Sequence, residues 1–333
     1  MNDLLDLLTG RSIDLLRFDA GQRRHVAAVL TDIQRQLLAR IAEEDFERLS
    51  DWQRRRVTAL IDDVNAILSE SYSGLADHSQ TGLPGLAKTE AKFAAKAVNL
   101  AIGAKLAGLP GPDQLTALVD NTLILGAPTA EWWARQESAA QFGFANLVRQ
   151  GVIEGRTNSD IARQVRGLLD TSRRNAEALT RTSVQAVANG ARMLTYSANS
   201  DLVAGVMHVS TLDSRTSEVC RARSGKRWDN NRTPVGHSIP FALPPVHWSC
   251  RSTLVPLMSL DEHIDGSQSS KDGPVPAEWD FGDWLKTKSQ AEQDALLGRG
   301  KAALWRDGKI TLADLLDQSG RPLSLAQLEA RLD

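Results

Sequence analysis

The feature that most constrains this chain is a change of residue pattern near position 203. Upstream, apolar residues recur at helical spacing, most clearly over residues 26–41 and 57–68. Downstream, residues 213–256 are rich in glycine, proline, asparagine, tryptophan and arginine and show little helical period. The sequence therefore predicts an α+β protein that is predominantly α, with a helical N-terminal region, a small loop-rich α+β module and a short C-terminal extension.

The same pattern sets the predicted domain boundaries. Residues 1–200 are expected to be helical and to supply docking and oligomer contacts. Residues 203–258 are expected to form a compact α+β module that begins with a β-type run. The polar, glycine- and proline-containing stretch 259–278 is predicted to be a linker, and residues 279–333 a C-terminal extension.

Composition excludes several classes of protein. The formal net charge of the 333 residues is −2, so nothing draws the whole chain towards nucleic acid. No apolar run approaches the roughly 18 residues that a membrane-spanning helix requires. The first residues, MNDLLDLLTG, lack the basic and apolar segments of a secretory signal, so we expect synthesis in a cytoplasm and no membrane association.

The two cysteines of the chain suggest a metal site in the compact module. Cys220 and Cys250 rule out a disulfide framework by their number, and His247 lies in a His-Trp-Ser-Cys turn with the second of them. Thiolate and imidazole are preferred ligands of zinc. A region with few apolar residues also gains from a metal cross-link, so Cys220, His247 and Cys250 are candidate zinc ligands.

The fourth ligand is not fixed by the sequence. Asp213, His208 and His237 are all candidates, and Ser217 stands where a Cys-x-x-Cys pair with Cys220 would have its first thiol. The alternative is that both cysteines are small buried hydrophobic residues and that the histidine of the Pro-Pro turn is simply hydrogen-bonded.

Catalysis is the less favoured interpretation. Asp213 or Glu218 beside a metal, or a cysteine paired with His247, would suit a hydrolase. However, the chain has no zinc-protease, nucleophile-elbow, phosphate-loop or dinucleotide motif. We therefore expect no enzymatic activity, and we expect Asp213 and Arg215 to form a buried ion pair that holds the loop.

Tryptophan and basic residues are concentrated in the last third of the chain. Five of the eight tryptophans follow residue 227, where they serve either an interface or a core: Trp228, Trp248, Trp279, Trp284 and Trp305. The most basic stretch suits either DNA phosphates, an acidic partner or a solvated loop, and comprises Arg221, Arg223, Lys226, Arg227, Arg232 and Arg251.

Three segments of the module resemble a known family. Residues 211–220 read TLDSRTSEVC, residues 225–228 read GKRW, and residues 244–253 read PPVHWSCRST. This spacing resembles the signature of phage Mu F-like minor head proteins. The resemblance extends over about 140–333 and, more loosely, over the N-terminal helices. Besides the cysteines and His247, the residues that carry the resemblance are Asp213, Arg215, Thr216, Gly225, Pro244, Pro245 and Arg251.

The resemblance implies a role in phage head morphogenesis. It implies a minor capsid protein of the virion, made in the host cytoplasm, that binds portal, scaffold or major capsid protein during procapsid assembly and DNA packaging. Contact with packaged DNA and homo-oligomer formation are compatible with it, and it implies no catalytic residues. The alternative function is a zinc-dependent hydrolase or nuclease in phage DNA processing.

Overall fold

The computed structural model describes residues 2–44, 51–264 and 266–332. Over these residues the protein is predominantly α-helical with small antiparallel sheets, which confirms the predicted α+β class. The helices that precede residue 200 are α1 (Asn2–Ala42), α2 (Asp51–Thr81), α3 (Leu83–Ile102), α4 (Pro112–Asn121), α5 (Thr129–Ile153) and α6 (Asn158–Ala198). No described helix combines the length and apolar character that crossing a bilayer demands.

The apolar stripes seen in the sequence are the buried faces of the first two helices. Their most buried members are Val26, Leu30, Ile33, Leu37 and Ile41 in α1 and Leu60, Ile61, Val64 and Leu68 in α2. Each stripe repeats every three or four residues, which keeps its side chains on one side of a helix. Burial of that side drives the helices to pack.

The chain forms two compact units that interleave along the sequence. The helical unit comprises Leu16–Pro84 and Asn121–Val184. The mixed unit comprises Met1–Leu15, Gly85–Asp120 and Gln185–Asp333. The predicted boundaries follow one another along the chain, whereas each of these units combines segments that are distant in sequence.

In the helical unit, α2 packs against α5. The rings of Tyr72 and Trp133 lie 6.3 Å apart, and Nε1 of Trp133 donates a hydrogen bond of 3.2 Å to Oγ of Ser79. A small hairpin precedes α5, and its two strands, β1 (Leu123–Ile124) and β2 (Ala127–Pro128), have two residues each. The paired aromatic rings make this contact a large part of the unit's core.

In the mixed unit, the β-type run predicted at the start of the module forms an inner strand of a four-stranded antiparallel sheet. The sheet has the order β5-β4-β3-β6, with β3 (Gly205–Val209), β4 (Arg227–Asp229), β5 (Pro234–Val235) and β6 (Thr253–Leu257). A short helix, α7 (Glu218–Arg223), lies between β3 and β4 in the chain. Val206, Trp228 and Leu254 pack with Ala222 of α7 in one core cluster.

The structure differs from the prediction that residues 259–278 are a linker. Within 259–278, an antiparallel hairpin of β7 (Ser267–Ser270) and β8 (Gly273–Pro276) forms, with Gly273 at a positive φ of 116°. The backbone N–H of Lys271 donates to the carbonyl of Leu212. The glycines and prolines that suggested flexibility are instead part of a hairpin attached to the module.

The predicted C-terminal extension is also a packed part of the mixed unit. Its helices are α8 (Phe281–Lys286), α9 (Gln290–Leu297), α10 (Arg299–Arg306), a 3-10 turn (Ala313–Leu315) and α11 (Leu325–Glu329). The rings of Phe281 and Trp284 lie 5.0 Å apart in a core that includes Leu212. This segment therefore shares a hydrophobic core with the start of the module.

A buried ion network joins three helical segments of the mixed unit. The carboxylate of Glu90 on α3 is fully buried and accepts hydrogen bonds from the guanidinium groups of Arg11 and Arg192. Arg192 on α6 also donates to Oγ1 of Thr253 on β6. A buried carboxylate requires such partners, because water cannot solvate it. Arg192 is thus an internal residue and not part of a solvated helix face.

We predict that Glu90→Gln destabilises the mixed unit. The amide keeps the shape of the side chain but leaves the buried guanidinium of Arg192 without a counter-charge, which costs about 3 kcal/mol of unfolding free energy. Urea unfolding followed by circular dichroism measures this loss. The control Glu131→Gln removes an exposed pair with Arg135 and costs less than about 0.5 kcal/mol. Equal small losses for both variants contradict the prediction.

Candidate metal centre

The three predicted metal ligands converge in the structure. Sγ of Cys220 lies 3.2 Å from Nε2 of His247 and 3.7 Å from Sγ of Cys250. All three donor atoms lie within 4.8 Å of one another. Both cysteines are free thiols and almost fully buried, whereas His247 is half-buried. The fold therefore brings Cys220 into contact with two residues that lie 27 and 30 positions later in the sequence.

Cys220 is positioned by the start of α7. Oγ of Ser217 accepts a hydrogen bond from the backbone N–H of Cys220 and caps the helix. Oγ of Ser210, just after β3, donates to the carbonyl of Cys220 over 2.7 Å. Ser217, which occupies the position of the first thiol in a Cys-x-x-Cys pair, therefore serves as the N-cap of α7.

His247 and Cys250 are presented by a tight loop that follows the Pro244–Pro245 cis peptide bond. The backbone N–H of Cys250 donates to the carbonyl of His247. Nδ1 of His247 lies 2.9 Å from the carbonyl oxygen of Trp248, which can only accept. Nδ1 therefore carries the proton, and the lone pair of Nε2 is directed to the sulfurs.

Asp213 pairs mainly with Arg251, and the ion pair predicted with Arg215 is present as a longer contact of an exposed side chain. The carboxylate accepts hydrogen bonds of 2.6 and 2.7 Å from the two Nη atoms of Arg251. The side chain of Arg215 is 80% exposed and its guanidinium lies 3.6 Å from Asp213. The planar guanidinium of Arg251 donates to both carboxylate oxygens at once. Such a paired interaction is stronger than the single, longer contact of Arg215, although Arg215 is nearer in sequence.

The remaining residues of the resemblance hold the same turn. Oγ1 of Thr216 donates to the carbonyl of Thr211 and contacts the carboxylate of Asp213. Gly225 has a φ of 73°, and its N–H donates to the carbonyl of His208. A side chain at Gly225 would be strained by that φ, so glycine is required where α7 returns to the sheet.

Of the three predicted fourth ligands, two are engaged elsewhere. Asp213 is occupied by Arg251, as described. The ring of His237 uses Nε2 with the carbonyl of Arg227 and Nδ1 with the N–H of Ile239. His208 is fully buried, and neither of its ring nitrogens has a hydrogen-bond partner among the described residues. His208 is therefore the candidate with an unused donor atom.

The electrostatics of the cluster follow from burial and from the contact between the sulfurs. The hydrogen bond between the thiols raises the pKa of Cys220, as does burial, and lowers the pKa of Cys250. Burial alone lowers the pKa of His247. The hydrogen bond and the charge of Cys250 outweigh burial, so the pKa of His247 lies above its ordinary value. Burial lowers the pKa of His208 to about 4, so this ring is neutral at neutral pH.

The basic stretch, for which DNA, an acidic partner or a solvated loop had been considered, is largely internal. Arg221 and Arg223 are buried, and Arg221 donates to the carbonyl of Leu296. Arg227 donates to two backbone carbonyls of the 260–262 turn. Only Lys226, which is half-buried, and Arg232, which is exposed, remain for an outside partner.

The tryptophans divide in the same way between core and surface. Trp228 and Trp284 are fully buried, and Trp279 and Trp305 are half-buried. Trp248, in the loop that carries His247, is 40% exposed. The composition of the segment gave no signal for this division, because it depends on which strand or helix each ring faces.

Comparison with known proteins finds a similarity, and it covers the site. Residues 143–255 match a family model described as Phage Mu protein F like protein. This part of the chain is therefore similar to phage Mu protein F-like proteins. The Mu F-like region, residues 143–255, includes all three clustered ligands and the Asp213–Arg251 pair. No curated protein and no solved structure matches the chain.

We predict that Asp213→Asn lowers the stability of the Mu F-like region at neutral pH. Loss of the charge-assisted pair with Arg251 costs roughly 2 kcal/mol, measured by urea unfolding. The control Arg215→Ala, at an exposed site, changes stability by less than about 0.5 kcal/mol.

The difference between wild type and Asp213→Asn is also expected to depend on pH. Burial alone raises the pKa of Asp213, but the hydrogen bonds and charge of Arg251 lower it below its ordinary value. The pair therefore stabilises the fold fully above the unfolded pKa of about 3.9 and is lost as pH falls through the lower folded value. A difference that stays constant below pH 4 contradicts this assignment.

Proposed function

We propose that this protein is a minor head protein that binds the portal or the inner capsid during procapsid assembly. The single observation that carries the proposal is the Mu F-like region at residues 143–255. Portal, scaffold and major capsid protein are the partners that this assignment favours, with the virion head as the location. A homo-oligomer built on the N-terminal helices is compatible with it.

The exposed part of the compact module (residues 203–258) offers a docking contact. Leu243 and Trp248 are both exposed and flank the cis Pro-Pro turn. Trp248 is adjacent to His247, whose ring is tied to the backbone of Trp248 and to the sulfur of Cys220. A rigidly held aromatic residue loses little entropy on binding, which makes it a suitable anchor for a protein partner.

Contact of the module with packaged DNA has less support. Phosphate binding requires exposed cations, and the salt dependence of affinity scales with their number. Arg221, Arg223, Arg227 and Arg251 make internal hydrogen bonds in the module. The enzymatic alternative is weakened similarly, because Asp213 is paired with Arg251 and Glu218 with Lys301.

The docking proposal predicts a specific effect of Trp248→Ala. The full chain, used as bait on extract of infected cells, is expected to retain portal or capsid protein. The variant is expected to weaken binding to the identified partner by about tenfold or more, measured by titration with that purified protein.

The control is Phe142→Ala, which removes a still more exposed aromatic ring from α5, outside the compact module. It should leave the affinity within about twofold. If Phe142→Ala abolishes binding and Trp248→Ala does not, docking occurs through the helical unit. Recovery of soluble host enzymes alone, without any head protein, contradicts the proposed function.

We further predict weak and non-catalytic behaviour towards DNA. Titration of the chain with duplex DNA at about 50 and 200 mM salt should show no steep loss of affinity, because few cations of the module are available. Incubation of that duplex with the chain and Zn²⁺ should leave it uncut. Cleavage that His247→Ala removes from a folded variant would favour the nuclease alternative.

A further inference from the structure

The spacing of the donor atoms in the cluster agrees with tetrahedral zinc coordination. Zinc binds sulfur at about 2.3 Å and nitrogen at about 2.0 Å, which places two sulfurs about 3.8 Å apart and sulfur and nitrogen about 3.5 Å apart. The observed separations are 3.7 Å for Cys220 and Cys250 and 3.2 Å for Cys220 and His247. The third pair, Cys250 and His247, lies within 4.8 Å, so one ion can contact all three atoms if this pair closes by at most about 1.3 Å.

The surroundings of His247 are also those of a metal ligand. Histidines that bind metals usually donate their other ring N–H to a carbonyl or carboxylate, which fixes the tautomer and the ring orientation. Nδ1 of His247 makes that bond to the carbonyl of Trp248, and Nε2 faces Cys220. The ring is therefore oriented by its own loop before any ion arrives.

His208 supplies an independent observation. Its side chain is fully buried, yet neither ring nitrogen has a hydrogen-bond partner among the described residues. Buried polar groups without partners are rare in folded proteins and commonly indicate a bound water or ion. The backbone of His208 lies beside the end of α7, the helix that carries Cys220, because its carbonyl accepts a hydrogen bond from the N–H of Gly225.

We propose that Cys220, His247 and Cys250 bind one structural Zn²⁺ ion and that His208 is the fourth side chain of the site. The ion would fasten α7 to the loop that carries Trp248, close to the Asp213–Arg251 pair. Such a cross-link stabilises a segment whose own apolar core is small.

Two other uses of these residues fit the geometry less well. A nucleophilic cysteine must be reached by its substrate, but Cys220 and Cys250 are 1% and 0% exposed. A disulfide between them would account for the sulfurs and leave both His247 and His208 unexplained. It would also remove the thiolates that a metal requires, so the two states are chemically exclusive.

The first test is the metal content and mass of the full chain, purified without chelator under reducing conditions. Elemental analysis is expected to find one zinc per chain, and mass spectrometry two reduced cysteines. Cobalt added to the metal-free chain should give the thiolate-to-cobalt absorption of a tetrahedral site. A chain that binds neither zinc nor cobalt, or that carries the disulfide instead, overturns the proposal.

The second test assigns the ligands by zinc affinity, measured in competition with a chromophoric chelator. Cys250→Ser and His247→Ala are expected to weaken binding by about a hundredfold or more, and His208→Ala by at least about tenfold. The matched control is His237→Ala, since both nitrogens of His237 already bond to backbone groups, and its affinity should stay within about twofold.

Folding of each variant is checked separately by circular dichroism in excess zinc. If His208→Ala folds and binds zinc as wild type does, the assignment of His208 is wrong. A wild-type chain that binds neither zinc nor cobalt but still captures head proteins would overturn this inference alone and leave the proposed function intact.

Discussion

The paired hydrogen bonds between Asp213 and Arg251 are the constraint on which the compact module depends. They join the turn that precedes α7 to the end of the loop before β6, across 38 residues of sequence. Cys250 is the neighbour of Arg251, and Asp213 also receives the N–H of Arg215 and the hydroxyl of Thr216. The pair therefore fixes both segments whose sulfurs meet, and it does so with polar contacts where apolar side chains are few.

Local patterns predicted the elements of this fold well, because they are set by nearby residues. The spacing of Leu60, Val64 and Leu68 on α2 is a property of one helix, and burial follows from it directly. The convergence of Cys220, His247 and Cys250 was also predictable, since few residue types in the module bind metal. The hairpin at 267–276 was missed because its glycines and prolines are equally common in linkers and in turns.

Ion pairs between residues that are distant in the chain could not be predicted from the sequence. Arg215 and Arg251 are chemically alike, and only the fold decides that the second meets both oxygens of Asp213. Glu90 and Arg192 are 102 residues apart, and each alone resembles a solvated charge on a helix. Such pairs specify how elements pack more reliably than they add stability, because each charge must first be removed from water.

The way in which the loop around Trp248 is held supports the docking role proposed for that residue. Trp248 lies between two held positions, with His247 tied to the sulfur cluster on one side and Cys250 with Arg251 on the other. A side chain whose backbone is fixed in advance binds without the entropy cost of ordering the loop. Cross-links placed immediately beside an exposed aromatic residue thus favour a binding role for this loop, and the burial of both sulfurs disfavours a catalytic one.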